Sequence, residues 1–165
     1  MGPRRAMVIR EATPADRAGI ERLYRLLCPG EPVEVRAERL AEIDADPHNL
    51  LYVVDHDGVV VATAFLTLCL DPMFGRQPYA VLENVVVDPG LRQRGIGAAL
   101  LRHIEACCRA RQCSKIMLLS NARRPRAHDF FTRMGYSSAV SVGFKKYLGG
   151  HRPSQVPDAE GPAAR

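Results

Sequence analysis

The stretch Leu82 to Arg111, LENVVVDPGLRQRGIGAALLRHIEACCRAR, restricts the fold of this chain more than any other, because it reads as strand, glycine turn and helix in immediate succession. The unbroken Val85-Val86-Val87 run is β-branched and apolar on both faces, which suits a strand buried inside a sheet. Pro89-Gly90 stops it. After Gly95 and Gly97, apolar residues recur at Ile96, Leu100, Leu101, Ile104, Cys107 and Cys108, spaced by three and four as on one face of a helix. Glu105 and Arg109 lie off that face and can pair at i,i+4.

A strand, glycine turn and helix together present backbone N–H groups without intrahelical partners at the positive end of the helix dipole, which makes the turn an anion site. Glycine lets a phosphate approach the main chain closely, and Arg92 and Arg94 add charge beside it, so a nucleotide-like pyrophosphate is the natural guest. Spacing separates the motifs that such a loop can carry. A P-loop is excluded, since no Gly-Lys-Ser/Thr follows. The dinucleotide fingerprint G-x-G-x-x-G fits poorly: Leu100 fills the place of the third glycine, and the next strand, Lys115 to Leu119, ends in Ser120-Asn121 with no acid for a ribose. What remains is Arg-x-x-Gly-x-Gly/Ala, present as Arg92-Gln93-Arg94-Gly95-Ile96-Gly97.

At 165 residues the chain suits one domain with a proper core. We take residues 1–148 as that domain and Gly149 to Arg165, which has almost nothing to bury, as a mobile tail. No apolar run reaches membrane-spanning length, and MGPRRAMVIREAT lacks a signal-peptide apolar region, so a cytoplasmic protein is expected. The five cysteines, Cys28, Cys69, Cys107, Cys108 and Cys113, show no C-x-x-C spacing and read as reduced core residues with no metal site. The net charge of +5 is unevenly placed: Pro89 to Tyr136 holds ten Lys/Arg against two acids, whereas Glu31 to Gly58 holds eight acids against two arginines. A coenzyme with several phosphates accounts for the basic part, and few aromatics are interleaved with the arginines as a single-strand nucleic-acid platform needs.

Along the chain, Ala6 to Arg10 is a short strand, and Thr13-Pro14-Ala15-Asp16 starts a helix with Ile20, Leu23, Tyr24 and Leu27 as its apolar stripe. A second, acidic helix runs from about Glu34 to Ala45. Leu50 to Asp55 and Val59 to Leu70 flank His56-Asp57-Gly58 and should pair antiparallel. Asp71 to Tyr79 is a turn-rich loop leading into the central strand. Ser114 to Ser120 is another strand, parallel to the central one because a helix connects them. Ala127, Phe130, Phe131 and Met134 mark the last helix, and Ser138 to Leu148 gives one or two closing strands.

On Arg92 to Gly97 the sequence resembles the GNAT superfamily of acyl-CoA N-acyltransferases, in which this loop holds the pyrophosphate of coenzyme A. Leu118-Leu119-Ser120-Asn121 and Ala127-His128-Asp129-Phe130-Phe131-Thr132-Arg133-Met134-Gly135-Tyr136 are similar to the second half of the family's cofactor site. The order of elements from about Met7 to Leu148 is similar to the whole family fold. The resemblance implies an α/β (α+β) fold: a mixed, mostly antiparallel central sheet flanked by helices, with a splayed parallel strand pair holding the coenzyme. It implies acetyl-CoA as acyl donor. Pyrophosphate then falls on Arg92, Gln93, Arg94, Gly95, Ile96, Gly97 and Ala98, and pantetheine along Val85 and Val87 with Val86 between them. Asn121 falls near the pantetheine arm. Two departures stand out: Gln93 replaces a frequent glycine, which a negative φ accommodates, and Phe131 replaces the tyrosine held to protonate the departing thiolate.

Acetyl transfer to an amine needs a deprotonated nitrogen, a place for its proton and donors facing the carbonyl oxygen. Glu83, at the start of the central strand, is the best candidate base, directly or through water; its bland role is a hydrogen bond to a neighbouring strand. The Val85 N–H is the candidate oxyanion donor. His128 reads as exposed or near coenzyme rather than as a base, with His48 and His103 further behind. Arg76, Arg36 or Arg39 can clamp an anionic acceptor. The expected activity is acetyl transfer to a primary amine of a small molecule in a ternary complex, as in the aminoalkylphosphonate and amino-sugar acetyltransferases that carry an acid at the position of Glu83. A protein lysine or N-terminal acetyltransferase and a catalytically weak coenzyme sensor are the alternatives. No nucleic acid or membrane partner is expected, and a homodimer stays open.

Overall fold

In the computed structural model, residues 7–148 are described, and they build a five-stranded sheet between two helical layers. Strand β1 (Met7–Glu11) leads through a 3₁₀ turn at Pro14–Asp16 into α1 (Arg17–Leu27), followed by α2 (Ala37–Asp44). Strands β2 (Asn49–His56), β3 (Val59–Cys69) and β4 (Tyr79–Val87) come next, then α3 (Ile96–Ala110), β5 (Ile116–Leu118) and α4 (Pro125–Arg133). The strand order is β1-β2-β3-β4-β5, with antiparallel neighbours up to β4 and a parallel β4–β5 pair. The β2–β3 turn places Asp57 at φ 55 and Gly58 at φ 80, two left-handed residues whose twist matches that of the flanking strands.

Both faces of the sheet are covered. Leu50, Tyr52 and Val54 alternate with Leu51 and Val53, so the first set packs with Leu66, Leu82, Ile96, Leu100, Leu101 and Ile104 under α3. The second set packs with Ile20, Leu23, Leu40, Val60 and Val86 under α1 and α2. Gly19 lets α1 close onto β3, since a Cβ there would stand 2.8 Å from Cβ of Val60. Arg10 ties the sheet to the start of α1 with a bidentate grip on Asp16 (2.8 and 2.9 Å) and a third bond to Asp55 (3.0 Å). That guanidinium holds the buried Asp16 carboxyl below the usual carboxylate range.

Four expectations are corrected. The Pro14 start is a 3₁₀ turn, closed by Asp16 Oδ2 accepting from the Thr13 N–H at 2.8 Å, and the α-helix begins at Arg17. The second helix is shorter than Glu34 to Ala45, because the Val35 N–H donates to Glu21 Oε2 (3.0 Å) and keeps Glu34 to Arg36 out of the helix. The strand expected over Ser114 to Ser120 keeps only three residues, since β4 turns away past Leu82. No strand forms over Ser138 to Leu148: a strand needs a partner, and the three residues of β5 supply too little edge. Val140, Val142, Phe144 and Leu148 are left 78 to 91% exposed. The tail expected from Gly149, and Ala6 at the start of the first strand, lie outside the described residues.

Candidate active site

The centre of β4 is irregular. Thr63 faces Val86 and Phe65 faces Glu83, so Asn84 and Val85 together oppose Ala64 alone, a β-bulge. Asn84 takes φ 53 to accommodate it, a conformation that asparagine tolerates better than most residues. The bulge switches the facing of the strand: Ala80 and Leu82, then Val85 and Val87, pack toward α3, while Val86 is buried toward α1. On the other side, pairing with β5 stops at Leu82 opposite Leu118, although β4 runs on to Val87. Val85 therefore has no register partner on either neighbouring strand. Past Leu82 the two parallel strands part and leave a free main-chain edge. Glu83 is exposed at the start of that edge, opposite Phe65.

The chain then enters the glycine loop. Asp88 N–H donates to the Val61 carbonyl (2.8 Å), Asp88 Oδ1 accepts from the Gly90 N–H (3.0 Å), and Arg22 of α1 donates to Asp88 Oδ2 (2.6 Å). Arg22 and the Gly90 amide lower the pKa of that carboxyl. Arg92 Nε donates to the Val87 carbonyl (3.2 Å), while Arg92, Gln93 and Arg94 are exposed. Gly95 has φ 78, and no atom lies within 4 Å of where its Cβ would be. The first bond of α3 runs from the Ala99 N–H to the Gly95 carbonyl (2.9 Å), so the N–H groups of Ile96, Gly97 and Ala98 have no intrahelical partner. Gly97 is a close approach: a Cβ there would stand 3.2 Å from Phe130 Cζ and 3.4 Å from Val87 Cγ2. Open space over free N–H groups, with two exposed arginines beside it, fits a pyrophosphate. Gln93 departs from expectation: its φ is 63, not negative, so the loop follows a glycine-like path with a side chain in place.

Across the gap, Asn121 is exposed in the turn before α4; its Oδ1 accepts from the Arg123 N–H (2.9 Å). His128 Nε2 lies 2.9 Å from the Asn121 carbonyl, which gives that ring a structural role in the turn. Phe131 is half-buried between Phe130 and Tyr136, with ring centroids 5.3 and 5.8 Å away. On the opposite face of the sheet a cavity of about 350 Å³ has apolar walls from Val35, Leu40, Leu51 and Phe65 and a polar end at Tyr24 and Asn84. Arg36 and Arg39 stand at its mouth, paired with Glu34 (3.1 Å) and Glu42 (3.0 Å), whereas Arg76 lies on the exposed β3–β4 loop. Sequence reasoning missed Tyr24 and Asn84. Asparagine inside a β-branched run was the available signal, since it is depleted from strand interiors. Among the described residues no group of three His, Cys, Asp or Glu side chains is placed to hold a metal ion.

The model of the acetyltransferase (GNAT) family matches residues 20–136, most of the chain, from within α1 to just past the end of α4. The chain belongs to the GNAT family of acetyltransferases. This GNAT enzyme is an N-acetyltransferase, and acetyl-CoA is its acyl donor. It is 29% identical over 141 residues to aminoglycoside N(6')-acetyltransferase type 1 of Stenotrophomonas maltophilia, covering 83% of this chain and 90% of the relative. A putative acetyltransferase from Agrobacterium tumefaciens str. C58 superposes with a TM-score of 0.78 at 31% identity, over 85% of this chain and 99% of the other. The aminoglycoside N-acetyltransferase AAC(6')-Iy, solved in complex with CoA, shares the fold at a TM-score of 0.75 and 20% identity, over 90% and 99%. No helix among the described residues is long and apolar enough to cross a membrane.

Proposed function

We propose that this GNAT enzyme moves the acetyl group of acetyl-CoA to a primary amine of a small molecule by direct attack in a ternary complex. The observation that carries this is the break in β4: one edge parts from β5 and is free for a pantetheine arm, while the bulge at Asn84 faces a separate cavity of acceptor size on the other side of the sheet. Two substrates can thus meet at one strand. Residues 1–148 form the catalytic domain in this reading, and the five free thiols among the described residues suit a reducing, cytoplasmic setting.

The residues divide the work by position. The N–H groups at Gly95 to Ala98, with Arg92, Gln93 and Arg94 around them, receive the pyrophosphate. Main-chain groups of Val85 and Val87, held apart by the buried Val86, receive the pantetheine amides. Asn121 and Phe131 border the arm from the α4 side. Glu83, exposed at the entry of the bulge, takes a proton from the acceptor's ammonium through water so that the free amine attacks the thioester carbon and expels the thiolate, and the Val85 N–H faces the carbonyl oxygen as it becomes negative. Phe131 has no proton to give. The leaving thiolate needs little help, because a cysteine-like thiol has a pKa near ~8.5. The relatives' names support a small amine as acceptor: one acetylates aminoglycosides and another glucosamine 6-phosphate. A homodimer also belongs to this reading, since Val140, Val142, Phe144 and Leu148 expose apolar surface that a second copy would cover; light scattering of the purified protein decides it.

Thiol release from acetyl-CoA, measured against aminophosphonates, amino sugars, polyamines, aminoglycosides and a lysine peptide, tests the proposal. Turnover confined to the peptide would replace it with protein acetylation. A second reading, a coenzyme sensor without turnover, is favoured by Phe131 alone, and tight coenzyme binding with no thiol release across the panel would establish it.

A further inference from the structure

The cavity on the α1 and α2 side of the sheet is unevenly furnished. Its walls come from Val35 ahead of α2, Leu40 and Ile43 of α2, and Leu51 and Phe65 of the sheet, and none of these side chains has a hydrogen-bond donor or acceptor. Main-chain groups along the wall are occupied as well. The Val35 N–H donates to Glu21 Oε2 (3.0 Å), the Leu40 N–H donates to the Arg36 carbonyl (3.2 Å), and the Leu51 carbonyl accepts from the Ala12 N–H (2.7 Å). A hydroxyl laid against this wall would leave water and find nothing to bond.

The two ends of the cavity differ. Tyr24 and Asn84 stand at the inner end, and Glu83 belongs to the same side of the sheet, because it is the register partner of Phe65 and directly opposed residues of an antiparallel pair share a face. An amine placed there meets polar groups and the proposed base together. At the mouth, Arg36 holds Glu34 through two bonds of 3.1 Å and Arg39 holds Glu42 at 3.0 Å, so both cations already have counter-charges. A carboxylate on the acceptor would only exchange one exposed ion pair for another, which gains little. Size narrows the acceptor further. A cavity of about 150 Å³ is enough to hold benzene, so the roughly 350 Å³ here takes one six-membered ring and a short arm.

We propose that the acceptor is an arylalkylamine, with its apolar ring among Leu40, Leu51 and Phe65 and a short arm that brings the primary amine to Glu83 and Asn84. The inference rests on the acetyl-transfer reading above and narrows it. The relatives named for aminoglycosides and glucosamine 6-phosphate take hydroxyl-rich rings, which would set their hydroxyls against this wall. Transfer forms the nitrogen–carbon bond and breaks the carbon–sulfur bond. One ammonium proton leaves through Glu83 before attack, and a second, released as the amide forms, reaches the coenzyme A sulfur through solvent.

Thiol release from acetyl-CoA with phenethylamine, naphthylethylamine, glucosamine and an aminoglycoside tests this. An apolar pocket rejects one added hydroxyl by about 10²-fold, so kcat/KM for phenethylamine should exceed that for glucosamine by at least about 100-fold. Phe65→Leu enlarges the cavity and keeps it apolar, and should raise the ratio of kcat/KM for naphthylethylamine over phenethylamine roughly 10-fold. That ratio is taken within one protein, so a general loss of folded enzyme does not move it. Val35→Asn puts an amide in the wall and should lower kcat/KM for phenethylamine about 10-fold. The thermal shift on acetyl-CoA binding should stay unchanged there, because the coenzyme edge of β4 lies on the other side of the sheet.

Turnover of glucosamine or the aminoglycoside as fast as phenethylamine would overturn the proposal and leave acetyl transfer standing. So would an unchanged ratio in Phe65→Leu. If wild type turns over no amine, the acetyl-transfer reading fails by itself, and calorimetric titration of phenethylamine into the CoA complex decides what the cavity takes. Binding that weakens about 10-fold in Val35→Asn supports an apolar amine, whereas no binding, binding unaffected by Val35→Asn, or equal binding of glucosamine overturns it.

Discussion

Gly97 at the start of α3 and Phe130 of α4 meet in tight contact, with Val87 closing the third side; a Cβ at Gly97 would stand 3.2 Å from the phenyl ring. The glycine thus joins three elements around the proposed coenzyme site: β4, α3 and α4. Gly97→Val should force α3 away from β4, cost about 1–3 kcal/mol as overpacking does, and weaken coenzyme binding with it. Thermal unfolding with and without acetyl-CoA checks both parts. An unchanged melting temperature and a full coenzyme shift would show that the contact is slack.

Gly95 and Gln93 lie in the same left-handed region, at φ 78 and 63, but with opposite consequences for mutation. Gln93→Gly should relieve a backbone penalty of roughly 1–2 kcal/mol and add some unfolded-state entropy, for a net gain of about 0.5–1 kcal/mol in chemical denaturation. Gly95→Glu should lose stability and abolish the coenzyme-induced thermal shift, because it puts a carboxylate where the phosphates are proposed to sit. Retention of that shift would move the coenzyme elsewhere.

Asp16 supplies a pH prediction. Arg10 lowers its pKa in the folded protein, so its contribution is fully present above the unfolded value of ~3.9 and is lost as pH falls through the depressed folded value. Asp16→Asn should therefore be less stable than wild type at neutral pH, and the gap should begin to narrow below about pH 4 and close as pH falls through the depressed folded value. A gap that stays constant down to pH 2 would mean that the carboxylate charge contributes nothing and only its shape matters.

Much of this architecture was legible before any coordinates, and the reasons are local. The Val85-Val86-Val87 run and the three-and-four spacing from Ile96 to Cys108 are periodic signals that one strand and one helix each produce. The Glu105–Arg109 pair follows from the same period and is formed at 3.1 Å. What was not legible depends on partners distant in sequence. Asn84 reads as one polar interruption, yet its meaning comes from the register of β4 against β3, where it and Val85 together oppose Ala64 alone. Ser138 to Leu148 alternates like a strand, but alternation describes a strand's faces and not whether an edge is available to it. Gln93 shows a third limit, since residue type biases φ without determining it.

Glu83→Gln should leave the coenzyme-induced thermal shift intact and lower turnover, by roughly 10²-fold or more where a positioned base is lost. The loss should be greatest at mildly acidic pH, where little of the amine is deprotonated and proton removal matters most. Thiol release measured from mildly acidic to mildly alkaline pH checks it. Unchanged turnover over that range would leave Glu83 as a surface carboxylate on β4.

Phe131 decides between an enzyme that works without a protein acid and one that has lost its chemistry. Its ring is half-buried against Phe130 and Tyr136, so Phe131→Tyr adds one oxygen with hardly any change in volume. If expulsion of the thiolate partly limits turnover, the new hydroxyl should raise kcat by a few-fold, mainly at neutral pH, where a thiol of pKa near ~8.5 is still mostly protonated in water. Above that pH the gain should fade, because the thiolate leaves unaided. The hydroxyl must come within about 3–3.5 Å of the sulfur to donate; otherwise a buried polar group is left unsatisfied and stability falls by ~1–3 kcal/mol. Thiol release on the best amine, paired with thermal unfolding of both proteins, separates these outcomes. A gain in kcat with unchanged stability places Phe131 at the leaving group, whereas a loss of stability with no gain puts its ring out of reach of the sulfur. Wild-type turnover at any rate above background would show that this active site transfers acetyl groups without a tyrosine there.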